Sequence, residues 1–114
     1  MPNVSNVRKL ISALRSGNYM QGAGLLMGDD HYCVFGVATD LWHQETGRGE
    51  WSHEPGNNCF VLDGKEHEQR APQEVMDWLG FGDHEHNELI DQNDSHMSFE
   101  EIADDLERLM VRYT

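Results

Sequence analysis

Cationic side chains are scarce in this sequence: Lys and Arg together number 8 against 21 Asp and Glu, and Lys stands only at positions 9 and 65. The net charge of -13 at pH 7 opposes phosphate groups and anionic lipid, which excludes direct binding to nucleic acid or to an acidic membrane surface. A charged partner should therefore be basic. Long apolar runs are also missing. No stretch reaches the roughly eighteen residues needed to span a bilayer, and no basic segment followed by an apolar one opens the chain, so the expectation is a soluble, cytoplasmic protein. Cysteine is limited to Cys33 and Cys59. They form no C-x-x-C pair, so two free, partly buried thiols are expected rather than a disulfide framework. There is no glycine-rich phosphate loop, no serine elbow and no H-E-x-x-H spacing, and neither a cofactor nor a metal is expected.

A chain of 114 residues, 38% hydrophobic and 25% charged, suits one domain over residues 1–114 with one core. The densest apolar run is Tyr32 to Trp42, in which Val34, Val37, Ala38, Leu41 and Trp42 recur at helical spacing. A buried helix is predicted, ending near Thr46 with Gly47 as its C′ residue. Gly36 inside it predicts the close approach of another backbone. Val4, Val7, Leu10, Ile11 and Leu14 mark a first amphipathic helix, stopped by Gly17-Asn18. Between these helices, residues 22–27 and 31–33 read as short strands around a tight turn at Gly28-Asp29-Asp30. The polar span from Arg48 to Asn58 reads as an exposed loop whose Trp51 folds back onto the core. Asn58 to Gly64 reads as a third strand pairing with that hairpin.

Three helices complete the expected α+β fold, a small antiparallel sheet of about three strands packed with four or five helices. One opens with Pro72 at N1 and closes at Gly80. A brief one is capped by Asp83. The last begins at a capping box, Ser98 with Glu101, flanked by a Met97/Ile102 staple, and runs apolar from Phe99 through Leu106 and Met110 to Tyr113.

Cys33 stands where a strand meets a helix N-terminus, a place that lowers a thiol pKa. It is the candidate nucleophile, with Gln21 as oxyanion donor and a histidine plus Asn93 or Asp94 completing a Cys, His, Asn constellation. The alternative for Cys33 is simple packing. His84-Glu85-His86, followed by His96, invites a metal reading, but two residues apart on a helix the rings point about 200° from each other. Asn93-Asp94-Ser95 reads as a loop that fixes the entry to the last helix, and Asp40 and Glu45 lack the alignment of a catalytic carboxylate pair. Acidic residues crowd one region: twelve Asp or Glu and no Lys or Arg between Ala71 and Glu107. Solubility or adaptation to high salt would explain this, as would an acidic docking surface carrying Asp91, Asp94, Glu100, Glu101, Asp104, Asp105 and Glu107.

Several fragments together resemble a loose group of small proteins encoded by bacteriophages and prophages, largely of unknown function. They are Ala13-Leu14-Arg15-Ser16-Gly17 with Tyr19 and Gln21; Tyr32-Cys33 with Gly36-Val37 and Asp40-Leu41; Pro72, Val75 and Trp78-Leu79-Gly80; Asn93-Asp94; and Ser98-Phe99 with Ile102-Ala103-Asp104. The resemblance spans nearly the whole chain. Its relatives often carry a second cysteine where Val34 stands here, which argues against paired-cysteine chemistry at that place. What it implies is an accessory protein made in an infected bacterium. The expected function is binding a basic host or phage macromolecule through the acidic surface, with inhibition or mimicry of DNA among the forms this takes. Two alternatives remain: a cysteine hydrolase or transferase built on Cys33, and a small-ligand-binding protein with a pocket near Gln21, Tyr32 and Asn93. The residues fix no oligomeric state.

Overall fold

The central apolar run is a helix, and the other elements are arranged on it. A computed structural model of the chain describes residues 2–28, 31–54, 57–95 and 97–113. Among these are five helices and two small three-stranded sheets, an α+β fold. The first helix, α1, is Val4–Arg15, with the Asn3 side chain accepting the Asn6 backbone N–H at 3.0 Å. The central helix, α2, is Val34–Thr46. It buries Val34 to Thr39 and Trp42, and ends at Gly47, whose φ of 71° is left-handed and whose N–H bonds the His43 carbonyl. Gly36 is required where it stands. A Cβ there would lie 1.7 Å from the Leu26 carbonyl oxygen, so the chain before the helix can cross it only over a glycine.

The strands are β1 (Met20–Gln21), β2 (Met27–Gly28), β3 (His31–Tyr32), β4 (Glu50–Glu54), β5 (Asn57–Leu62) and β6 (Lys65–His67). In the first sheet the order is β1-β3-β2, with β1 parallel and β2 antiparallel to β3. Of the predicted tight turn, Asp29 and Asp30 lie outside the described residues. The segment expected as an exposed loop contains β4, which pairs antiparallel with β5 and sets Trp51 opposite Phe60. Their rings meet at 5.0 Å. The strand at Asn57–Leu62 thus pairs with β4 and β6, not with the N-terminal hairpin. Cross-strand packing of one tryptophan on one phenylalanine holds a ribbon whose own residues are mostly polar.

The remaining helices are α3 (Gln73–Leu79), α4 (Asp83–Asp94) and α5 (Phe99–Val111). Pro72 precedes the first helical residue of α3 instead of occupying it, and Gly82, not Asp83, is the residue flanking α4. Helix α4 is longer than its sequence suggests and absorbs Asn93 and Asp94 into its last turn. Both halves of the predicted capping box are present at α5: Ser98 accepts from Glu101 N at 3.1 Å and Glu101 Oε1 accepts from Ser98 N at 3.0 Å. Helix α5 lays Phe99, Ile102, Ala103, Leu106 and Met110 into the core, where Leu10, Phe35, Phe60 and Leu79 are also fully enclosed. Arg15 fastens α1 to α5 through Asp104 (2.7 Å) and Glu107 (2.9 Å). Among the described residues no helix is long and apolar enough to cross a membrane.

Candidate functional site

The N-terminus of an α-helix leaves backbone N–H groups unpaired, and a side-chain oxygen at the preceding residue normally accepts one of them. Cys33 precedes α2 and supplies no such bond. Asn93, 59 positions further on, does so in its place: its Oδ1 accepts the Val34 N–H at 3.2 Å, and its Nδ2 donates to the Gly22 carbonyl at 2.8 Å. Gln21 plays the matching part at α5. Its Oε1 accepts the Phe99 N–H at 3.0 Å, its Nε2 donates to the Met97 carbonyl at 2.6 Å, and the same nitrogen reaches Asn93 Oδ1 at 3.4 Å. Two carboxamides therefore cap two helices from a distance, and they tie β1, α2, α4 and α5 at one point. Asn93 is 3% exposed, so these bonds are made away from competing water.

A shallow cavity of about 310 Å³ lies beside this point, lined by Gln21, Gly22, Ala23 and Asn93. Both amide groups of its lining are already engaged in the capping bonds. Tyr32, half-buried, packs its ring between Tyr19 and Trp51 at 5.1 and 5.9 Å.

Cys33 is brought close to Asn93 by this arrangement, but it is packed into the core and the residue is 3% exposed. Burial raises its pKa above the ordinary thiol value, outweighing nearby backbone N–H groups that act in the opposite direction. A nucleophilic cysteine needs the reverse: a stabilised, reachable thiolate. Gln21, the expected oxyanion donor, directs its N–H groups to Met97 and Asn93. Of the histidines, His84 is exposed while His86 is buried and stacked on Phe35 at 4.6 Å. They diverge as two residues on a helix must, and His96 lies outside the described residues. Among the described residues no group of three His, Cys, Asp or Glu is placed to hold a metal ion.

One constellation had little signal in the sequence. Asp40, the sole acid in the first two turns of α2, accepts from Tyr19 Oη (2.6 Å), Gln44 Nε2 (2.7 Å) and Trp51 Nε1 (3.0 Å). Burial and the Asp40 carboxylate together drive the Tyr19 pKa upward, so the phenol stays protonated as a donor. An acid on an otherwise apolar helix, with a loop tryptophan to place, is the only clue the sequence offers.

The acidic surface divides into two sets. Asp104 and Glu107 are occupied by Arg15, and Asp105 by Arg108 and by Gln92 Nε2. Asp91, Asp94, Glu100 and Glu101 are exposed, and no ion pair reaches them among the described residues. They cluster where α4 hands over to α5. Further along, a groove of about 610 Å³ lies between the two helices. Leu89, Leu106, Leu109 and Phe81 contribute its apolar lining; Glu85 and Glu88 stand on α4, and Arg108 and Arg112 on α5 or its end.

Fold and surface together describe a small α+β protein with a closed thiol, polar residues that cap its helices, and an acidic helical face. The chain belongs to the DUF8296 family, a domain of unknown function whose pattern matches residues 4–110. No curated protein and no solved structure matches it.

Proposed function

We propose that this is a non-enzymatic accessory protein of the bacteriophage type, which acts in the cytoplasm of the host cell by binding a basic host or phage macromolecule. The observation that carries this reading is the quartet Asp91, Asp94, Glu100 and Glu101, exposed and unneutralised at the α4–α5 junction. Opposite charge on the partner accelerates encounter and fixes register more than it sets final affinity. Against the hydrolase alternative stand the buried Cys33 and the engaged amides of Gln21 and Asn93.

The test is affinity capture from infected and uninfected bacterial lysates, with the protein and a D91K/D94K/E100K variant as baits. A basic protein should be retained at about 0.05 M salt, released by about 0.5 M, where exposed charges are screened within a few ångströms, and absent from the variant. Capture that survives both the salt and the three reversals would refute the acidic face as the contact.

A further inference from the structure

We infer that the groove between α4 and α5 is a self-association surface, filled by the same groove of a second copy of this chain. It is separate from the acidic junction invoked above, and stands or falls independently of it. Three features point to this occupant.

The groove is amphipathic: Leu89 and Leu109 lie in it beside ionic walls of opposite sign, Glu85 and Glu88 on α4 facing Arg108 and Arg112 on the α5 side. Arg108 pairs with Asp105 on its own helix, His84 lies 3.7 Å from Glu88 on the other, and no ion pair crosses the groove among the described residues. A surface with one acidic and one basic wall complements itself under a twofold rotation.

The heights match as well. Gln92 and Asp105 are hydrogen-bonded at 3.1 Å and join the two walls at the closed end. Counting away from that tie, Glu85 is 92 − 85 = 7 residues back along α4 and Arg112 is 112 − 105 = 7 residues on from Asp105; at about 1.5 Å per helical residue both lie about 10 Å from it. Glu88 and Arg108 are 4 and 3 residues from the tie by the same count. A twofold axis parallel to the helices lays α4 of each copy over α5 of the other at equal height, so each carboxylate meets an arginine. An axis across the helices would instead set α4 on α4, acid against acid.

An aromatic side chain also remains open to solvent at that end of the groove: Tyr113, which lines it, is 42% exposed. The charge of -13 per chain opposes pairing at long range, which makes a weak, concentration-dependent dimer the expected form.

The experiment is sedimentation equilibrium of the full chain, up to about 0.5 mM, the range in which weak pairing registers, at physiological salt. Wild type should populate a dimer. E85R/E88R and R108E/R112E should each weaken it about tenfold or more, since each sets like charges face to face, and their equimolar mixture should recover dimer by pairing complementary walls. Circular dichroism confirms that both variants fold. A wild type monomeric throughout the range would overturn the inference. So would a dimer that neither double reversal weakens, or a mixture that associates no better than its components. A groove that stays monomeric yet binds a basic amphipathic peptide, lost in E85R/E88R, would assign the surface to a foreign helix and equally reject the second copy.

Discussion

Gly36 is the residue on which the packing of the central helix most narrowly depends. Any side chain there meets the Leu26 carbonyl, which is backbone and cannot rotate away. Gly36→Ala should therefore cost about 3 kcal/mol or more despite alanine's better helix propensity, read as a drop in the urea midpoint; an unchanged or raised midpoint would contradict the close crossing. Asn93→Ala strips the Val34 N–H and the Gly22 carbonyl of their partners at once. Each buried orphan costs about 1–3 kcal/mol, so a loss of about 3 kcal/mol is expected in the same assay. The Cys33 thiol, raised in pKa by burial, should resist iodoacetamide at pH 8 in the folded protein and react on unfolding. Rapid labelling of the native chain would restore the case for catalysis. The sequence flagged all three residues, and at Gly36 it also supplied the reason. For Asn93 it could not, because the amide's partners lie 59 and 71 positions away.

At the scale of elements, legibility followed the range of the stabilising interactions. The start of α5 is local chemistry, Ser98 and Glu101 three residues apart, and was readable in full. Replacing Ser98 by Ala should cost about 1 kcal/mol, with the denaturant slope unchanged. Strand β4 was not readable, since Glu-Trp-Ser-His-Glu has no apolar alternation and holds its place through Phe60 on the neighbouring strand. Helix α4 runs longer than its sequence suggests for a related reason. Asn-Asp-Ser favours turns in isolation, but here the Asn93 side chain is drawn to Gly22 and Val34, and the helix continues through it.

For the molecule as a whole, two of the sparse cations, Lys9 and Arg15, join helices. Lys9 of α1 reaches Glu45 of α2 at 2.9 Å, with Trp78 Nε1 of α3 donating to the same carboxylate at 2.7 Å, and Arg15 spans α1 to α5. The Lys9 and Trp78 bonds lower the Glu45 pKa below its ordinary 4.5, and Arg15 does the same for Glu107. A carboxyl whose folded pKa is depressed contributes stability above its unfolded value, and loses it as pH falls through the folded one. The urea midpoint should therefore decline below about pH 4.5, and the gap between wild type and Lys9→Met should close over that interval. A gap that persists at pH 2 would show that Lys9 acts by packing alone. Both carboxylates are solvent-exposed, so each effect is small.

The sequence by itself determined an α+β fold of four or five helices, the buried central one, the glycine crossing and the acidic character. Each of these follows from periodicity, a short capping pattern, or the sum of charges. Tertiary structure alone decided the rest: two sheets in place of one, Gln21 and Asn93 as caps for distant helices, and Cys33 packed into the core. It also decided which carboxylates Arg15 and Arg108 neutralise and which stay open. The distant caps and the Arg15 bridges depend on groups brought together from far apart in the chain, and spacing along a sequence does not encode distance across a fold.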